Sequence, residues 1–259
     1  MNQILTDEQW AEYEEKGYLR LGKVLNADEL KALQTRIDDI MLGKADLDYS
    51  KILMQLDSKD GQYENAGEQS FGHKGARLDY RKIQELEADP LFWEFMNQPI
   101  FEEICERQYG GEMPIAAFRA MFMNKPANQG TLLPWHQDRW QDLDRDPLVT
   151  LWTALDTATE ENGCVQIIEG SHKLGLLNPD HPSGYVTPQQ AQELVEKYPV
   201  IHLELEAGEA VVLHNWLLHA SDKNHSAQSR RAFSVCYMDG DTVSRGGRTF
   251  PRVFETVAV

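Results

Sequence analysis

The residues best suited to chemistry are a histidine and an aspartate two positions apart, His136 and Asp138. In an extended segment, residues i and i+2 point to the same face, so this imidazole and carboxylate would lie side by side while Gln137 points away. With one distant histidine, such a pair forms the facial triad that binds non-haem iron(II) and leaves coordination positions open. The two-residue pattern alone is weak evidence for a metal site.

A second histidine, His219, ends an apolar stretch, and Arg230 opens the next predicted strand. The even-numbered residues that follow Arg230 in alternation are small, namely Ala232, Ser234 and Cys236. The odd-numbered residues that follow Arg231 are large, namely Phe233, Val235 and Tyr237. A face of small residues leaves space for a ligand, and an arginine on this face can bind a carboxylate with two hydrogen bonds. The alternation therefore predicts that Arg230 points inward, where the Ser221 hydroxyl could donate to the same carboxylate.

These motifs resemble the phytanoyl-CoA dioxygenase-like family of Fe(II)- and 2-oxoglutarate-dependent oxygenases. The matching stretches are Gly17-Tyr18-Leu19, Arg81-Lys82-Ile83-Gln84, Trp135-His136-Gln137-Asp138, Leu151-Trp152-Thr153-Ala154-Leu155-Asp156, Glu161-Asn162-Gly163-Cys164, Gly170-Ser171-His172, His219-Ala220-Ser221 and Arg230. They span nearly the whole chain, and their order and spacing are specific. The resemblance implies a mainly β fold with flanking helices, namely a double-stranded β-helix (a jelly-roll or cupin-like barrel) with an N-terminal helical layer.

The resemblance also implies cofactors and site residues. The cofactors are Fe(II), 2-oxoglutarate and dioxygen. The implied iron ligands, which are also the catalytic residues, are His136, Asp138 and His219. The implied residues of the 2-oxoglutarate site are Arg230, Ser221, Trp152 and Lys82. Related halogenases have Gly or Ala in place of Asp138, so the chain resembles a hydroxylase-type member.

The reaction that the resemblance implies is hydroxylation of a small-molecule metabolite through an iron(IV)-oxo intermediate, with release of succinate and CO2. Two alternatives remain. An acyl-CoA-type hydroxylase of the same family would need a basic rim for the nucleotide phosphates, which the sequence does not reveal. A non-oxidative metal-dependent barrel protein would not need a carboxylate clamp such as Arg230.

Two further residues are candidates for binding the substrate. Arg119 lies among apolar residues of a predicted strand, and a buried arginine needs a partner. The sequence equally allows a carboxylate or phosphonate of the substrate and a structural carboxylate as that partner. Trp140 closely follows the metal motif and suits a pocket wall as well as a core position.

The composition is typical of a globular protein, with 41 % hydrophobic and 26 % charged residues among 259. Length alone allows one β-rich domain or two small ones. We predict a single catalytic domain over residues 1–259, with mainly helical support in residues 1–110 and the β-barrel core in residues 111–259.

Charge and cysteine content indicate the setting of the protein. The net charge of −17 disfavours nucleic acid as a partner, and no segment approaches the roughly 18 apolar residues of a membrane span. The three cysteines, Cys105, Cys164 and Cys236, are odd in number and far apart, which argues against a disulfide framework. We therefore predict a cytoplasmic protein with a small-molecule substrate, and the sequence does not indicate its oligomeric state.

Local patterns change from helical to extended after Gly110-Gly111. Capping boxes at Thr6 and Asn26 predict helices over residues 7–16 and 27–42, and a third helical region is predicted over residues 83–108, interrupted at two prolines. The predicted strands cover residues 115–124, 148–156, 164–169, 200–205, 210–218 and 231–238, and residues 188–197 form a helical insertion. This order predicts a helical layer packed on an antiparallel barrel or sandwich.

Overall fold

The helices begin where capping residues and prolines predict. A computed structural model of the protein describes residues 4–182 and 184–255. The helices are α1 (Asp7–Lys16), α2 (Ala27–Met41), α3 (Pro90–Met96), α4 (Pro99–Tyr109) and α5 (Pro188–Lys197). Both predicted capping boxes are present, at Thr6 and Asn26. None of the described helices is long and apolar enough to cross a membrane.

The strands form two antiparallel sheets. They are β1 (Tyr18–Lys23), β2 (Leu53–Leu56), β3 (Ser70–Phe71), β4 (Tyr80–Gln84), β5 (Ile115–Lys125), β6 (Leu133–His136), β7 (Val149–Ala154), β8 (Val165–Ile168), β9 (Val200–Leu203), β10 (Glu209–His214), β11 (His219–Ser221), β12 (Arg230–Asp239) and β13 (Arg252–Phe254). The larger sheet has the order β1-β10-β7-β12-β5-β4-β2-β3, with β13 also paired to β5. The smaller sheet has the order β6-β11-β8-β9.

Two of the predicted elements need correction. The helical region predicted over residues 83–108 is wrong at its start, because residues 80–84 form strand β4 against β5. Pro90 and Pro99 start α3 and α4 because a missing N–H is harmless in a first helical turn. The strand predicted over residues 210–218 is divided, since a turn closed by the Leu217 N–H donating to the His214 carbonyl separates β10 from β11.

The two faces of the larger sheet pack against different partners. On one face, Phe233 of β12 contacts Phe92 and Phe95 of α3, with ring centroids 4.7 and 5.8 Å apart. On the other face, Trp152 of β7 belongs to a buried cluster with Ile167 of β8 in the smaller sheet. The helices therefore cover one face, and the two sheets enclose the space in front of the other.

This arrangement is that of a jelly-roll-like barrel with flanking helices, so the predicted fold class is confirmed. Residues 1–110 contribute strands β1 to β4 to the larger sheet in addition to helices α1 to α4. The single catalytic domain over residues 1–259 remains a prediction.

Candidate metal and co-substrate site

Strand pairing brings the two histidines together at the edge of the barrel. His136 ends β6, His219 begins β11, and the two residues are direct partners in the antiparallel register. Their ring centroids are 4.1 Å apart. Asp138 lies just beyond β6, and its two carboxylate oxygens are each 3.9 Å from an Nε2 atom of one of these histidines. Each residue thus offers one ligand atom, and these atoms all lie within 4.8 Å of one another.

Hydrogen bonds orient both imidazoles toward a common point. His136 Nδ1 lies 2.8 Å from the Pro134 carbonyl and His219 Nδ1 lies 2.9 Å from the Leu217 carbonyl. Because each Nδ1–H can donate to its carbonyl, each Nε2 keeps a lone pair directed at Asp138. Burial lowers the pKa of His136 to about 3, which keeps this ring neutral. Two imidazole nitrogens and a carboxylate fit a divalent first-row metal ion such as iron(II).

The residue between the two ligands anchors the segment. Gln137 points away from the predicted metal ligands, and its Nε2 donates to the carbonyls of Gly175 and Trp216 at 2.9 and 2.7 Å. The Gln137 N–H also donates to the Gly184 carbonyl at 3.0 Å. Gly184 has a φ of +71°, and a Cβ atom there would lie 2.0 Å from the Gln137 carbonyl oxygen. Glycine is therefore required at this close approach.

The two consecutive arginines point to opposite faces of the larger sheet. Arg231 pairs with Asp156 and Asp38 on the helix side, at 2.8 and 2.6 Å. Arg230 is buried on the cavity side, where its Nη2 donates to the Gly163 carbonyl at 3.0 Å and its Nε has no partner in the described chain. Its guanidinium lies 5.4 Å from the centroid of the Trp152 ring. Burial lowers the pKa of Arg230 to about 10, so the side chain remains charged at neutral pH.

One cavity of about 280 Å³ between the two sheets contains all the predicted site residues. These are His136, Asp138, His219, Arg230, Ser221, Trp152, Lys82, Arg119 and Trp140. Lys82 reaches the cavity from β4, opposite Met123 of β5. Burial, with Arg81 and Arg119 nearby, lowers the pKa of Lys82 to about 7, against the opposing effect of Asp138.

Sequence reasoning missed several residues that line the cavity. Tyr185 stacks on His136 with ring centroids 4.9 Å apart, and Tyr63 packs against Tyr185 at 5.5 Å. Tyr63 begins a three-residue 3-10 helix and Tyr185 lies in an irregular segment, and neither stretch is long enough for a periodicity to indicate the direction of a side chain. Lys125 also lines the cavity. It shares the parity of Arg119 on β5, so the alternation of that strand contained the signal needed to find it.

Comparison with known families identifies the chain. The sequence profile of the family Phytanoyl-CoA dioxygenase (PhyH) matches residues 13–232. The chain belongs to the phytanoyl-CoA dioxygenase family. It is accordingly an oxidoreductase of the dioxygenase class, as the resemblance implied.

Curated members of the phytanoyl-CoA dioxygenase family match most of the chain. Phytanoyl-CoA dioxygenase 1 of Oryza sativa subsp. japonica is 30% identical over 258 residues, covering 91% of this chain and 89% of the relative. The probable phytanoyl-CoA dioxygenase of Caenorhabditis elegans is 29% identical, with 92% and 77% covered. The peroxisomal phytanoyl-CoA dioxygenase of Homo sapiens is 26% identical, with 93% and 70% covered.

Solved structures share the fold. EctD from S. alaskensis with 2-oxoglutarate and 5-hydroxyectoine has a TM-score of 0.72 at 17% identity, covering 96% of this chain and 79% of that one. The non-heme alpha ketoglutarate dependent carbocyclase SnoK from nogalamycin biosynthesis has a TM-score of 0.71 at 19% identity, covering 93% and 87%. At these identities the likeness concerns the fold alone, and it agrees with the jelly-roll architecture.

Proposed function

We propose that the protein is an Fe(II)- and 2-oxoglutarate-dependent dioxygenase that hydroxylates a small-molecule metabolite and releases succinate and CO2. The observation that carries this proposal is the convergence of His136, Asp138 and His219 in a cavity that also contains the inward guanidinium of Arg230. Family membership supports oxidative chemistry over the non-oxidative metal protein that the sequence left as an alternative.

Two observations support the predicted cofactors. The His-Asp-His group offers the mixed nitrogen and oxygen donors that iron(II) accepts. Structures with the same fold were crystallised with iron or with 2-oxoglutarate. When bound, iron(II) and 2-oxoglutarate supply the activation of dioxygen, which protein side chains cannot supply alone.

The side chains of the cavity have separate tasks. His136, Asp138 and His219 would hold the iron, and the carbonyls bound to Nδ1 of each histidine fix the two ring orientations. Arg230 would bind the distal carboxylate of 2-oxoglutarate, since its charge is buried and forms no ion pair with a carboxylate of the described chain.

Three neighbouring residues would complete the co-substrate site. The Trp152 ring lies under the Arg230 guanidinium and limits its movement. The Ser221 hydroxyl lines the same cavity and can donate to a carboxylate oxygen. Lys82 can hold or release a proton on Nζ near neutral pH, so a bound anion would stabilise its ammonium form.

The size of the cavity favours a small metabolite over a whole acyl-CoA. Pockets for drug-sized ligands span roughly 300–1,000 Å³. The cavity of about 280 Å³ must hold the co-substrate together with the reacting part of the substrate. An acyl-CoA would have to keep its nucleotide outside, on a protein whose net charge is −17.

We further propose a reducing compartment, the cytoplasm, as the location. The support is that Cys105, Cys164 and Cys236 are all buried and free. The acidic net charge supports a protein without a nucleic-acid partner.

The test of the proposed function is an anaerobic titration of iron(II) and 2-oxoglutarate into the apoprotein, followed by visible absorption. A weak charge-transfer band is expected in the wild type and in Arg252→Ala, which removes an exposed arginine of β13. The band should be absent in His219→Ala and in Arg230→Ala at matched concentrations. A wild-type protein that binds iron but gives no band at any 2-oxoglutarate concentration would contradict the proposal.

A further inference from the structure

The cavity concentrates positive charge within an acidic protein. The net charge of the chain is −17, yet the described residues line the cavity with five arginine and lysine side chains and a single carboxylate, that of Asp138. The basic residues are Arg81, Lys82, Arg119, Lys125 and Arg230. Like charges repel strongly in a low-dielectric interior, so this arrangement suits a site that receives more than one anionic group.

Arg119 is the arginine of this group that the described chain leaves without a polar partner. Three other basic residues of the cavity donate to neutral acceptors. Arg81 donates to the Gln55 side-chain oxygen at 2.9 Å. Lys125 donates to the Thr131 carbonyl at 2.5 Å, and Arg230 donates to the Gly163 carbonyl at 3.0 Å. Within the described residues, Arg119 forms neither a hydrogen bond nor an ion pair, and its Nε is buried without an acceptor. The structural carboxylate that the sequence left open as its partner is therefore not found there.

Aromatic rings hold the Arg119 guanidinium in place. Its Cζ lies 4.6 Å from the centroid of the Trp140 ring and 5.0 Å from that of Phe118. These contacts fix the plane of the guanidinium and leave its N–H groups for a ligand. Burial lowers the pKa of Arg119, whereas the nearby Asp138 acts to raise it. A charge held in this way is pre-organised for an anion that enters the cavity.

Arg119 and Arg230 lie well apart on one strand pair. Arg230 is paired with Lys125 at one end of the β5–β12 register, and Arg119 is paired with Cys236 further along it. Arg119 and Lys125 are six residues apart on β5, or roughly 20 Å at about 3.3 Å per residue. The charge of Asp138 acts to raise the pKa of Arg119, so Arg119 lies close to the predicted metal ligands. Arg119 is therefore suited to a different anionic group from the one that Arg230 would bind.

We propose that Arg119 binds an acidic group of the primary substrate, either a carboxylate or a phosphonate or phosphate, with Trp140 and Phe118 beside it. This inference rests on the proposed function and narrows its substrate class to small anionic metabolites. It also gives Trp140 a role in the pocket wall, one of the two roles that the sequence allowed.

The test uses simple anions as probes on the metal-free protein, measured by isothermal titration calorimetry. Benzoate and phenylphosphonate represent the two acidic groups, and benzamide is the neutral match to benzoate. The wild type and Arg252→Gln are expected to bind at least one anion and not benzamide. Arg119→Gln is expected to lose about tenfold or more in affinity, while Arg230→Gln loses much less. Preference for benzoate or for phenylphosphonate identifies the acidic group.

The inference is overturned if benzamide binds as well as benzoate, if no probe binds the wild type, or if Arg230→Gln loses as much affinity as Arg119→Gln. Circular dichroism checks the fold of each variant. If Arg119→Gln does not fold, Arg119→Lys replaces it. Lysine keeps the charge but loses the planar fork, so binding should weaken several-fold, and wild-type affinity would overturn the inference.

Failure of this inference is distinguishable from failure of the proposed function. The charge-transfer band with iron(II) and 2-oxoglutarate should persist in Arg119→Gln, because Arg119 takes no part in holding either. An absent band in the wild type would defeat the proposed function and leave the calorimetric result with benzoate and phenylphosphonate unaffected.

Discussion

The two faces of strand β12 use the same residue type in opposite ways. On the helix face, Arg231 is fully engaged by two carboxylates, those of Asp156 and Asp38. On the cavity face, the adjacent Arg230 contacts a neutral carbonyl and the Trp152 ring, and Arg119 on neighbouring β5 contacts aromatic rings. An arginine whose anion belongs to the chain stabilises the fold, whereas an arginine without one is available to a ligand.

The apolar residues differ between the faces in the same way. The helix face carries large side chains such as Phe233, Val235 and Tyr237, all fully buried. The opposite face of the same strand carries the small residues Ala232, Ser234 and Cys236, of which Ser234 lines the cavity. Stability and function are therefore separated on one strand, and mutations on each face should affect mainly one of them.

Removal of a metal ligand should give the largest effect on function. In His219→Ala, iron(II) affinity is expected to fall by more than the roughly 100-fold that loss of an outer-shell partner costs, and turnover should be lost. Because His219 lies on the cavity side, the melting temperature of the metal-free His219→Ala variant should stay close to that of the metal-free wild type. Calorimetric iron(II) titration and a melting curve test both statements. Iron(II) affinity within tenfold of wild type would remove His219 from the ligand set.

A core truncation on the helix face should show the reverse pattern. Phe233→Ala removes a ring packed against Phe92 and Phe95 and should cost about 3–5 kcal/mol of unfolding free energy. The fraction that remains folded should bind iron(II) with wild-type affinity. Urea unfolding and iron(II) titration at low temperature measure the two quantities. A destabilised variant that also loses its metal affinity would show that the two faces are coupled.

Arg230 and Arg231 provide a matched pair of adjacent substitutions. Arg230→Gln should weaken 2-oxoglutarate binding by about 2–5 kcal/mol, because the co-substrate carboxylate loses a buried charged partner. Arg231→Gln should instead lower the free energy of unfolding by roughly 1–3 kcal/mol, because it leaves the half-buried Asp156 without its ion pair. Calorimetric titration of 2-oxoglutarate and urea unfolding of both variants measure the loss of affinity and the loss of stability. Equal losses of 2-oxoglutarate affinity would contradict the assignment of Arg230.

Local features of the fold could be predicted from the sequence more directly than contacts between distant strands. Strict alternation on β12 correctly predicted which arginine faces inward, because a two-residue period determines the face of every side chain. Capping boxes gave the start of α1 and α2 because a side chain that accepts backbone N–H groups marks a helix start locally. The metal ligands required a resemblance, since the pairing of His136 with His219 is a contact between distant strands.

Features that depend on tertiary structure were missed. The end of strand β4, Ile83 and Gln84, was predicted as helix because the partner strand β5 lies outside any local window. Tyr185 comes from an irregular segment, and only the folded chain stacks it on His136. The sequence equally hides that no carboxylate of the described residues forms an ion pair with Arg119, since acidic residues outnumber basic ones 42 to 25 and any of them could have been its partner.

The smallest expected effect concerns Lys82, which lies on the cavity face and whose charge depends on pH. Burial lowers its pKa to about 7, so the free protein loses this positive charge as the pH rises through that value. A bound anion favours the ammonium form and raises the pKa of Lys82 in the complex. Affinity for 2-oxoglutarate should therefore be constant below about pH 7. It should fall several-fold between the pKa of Lys82 in the free protein and the higher pKa of Lys82 in the complex, and level off above that.

Calorimetric titration of 2-oxoglutarate in the presence of iron(II), over a range of about pH 6 to 9, measures this dependence. Lys82→Met should bind more weakly at pH 6 and show a flat profile, because it lacks the titrating group. Lys74→Met, which changes a half-buried loop lysine that donates to the Ser70 hydroxyl and does not line the cavity, should keep the wild-type profile. A Lys82→Met variant that retains the wild-type slope would mean that another group titrates, and that Lys82 resembles Arg231 in acting within the fold and not on a ligand.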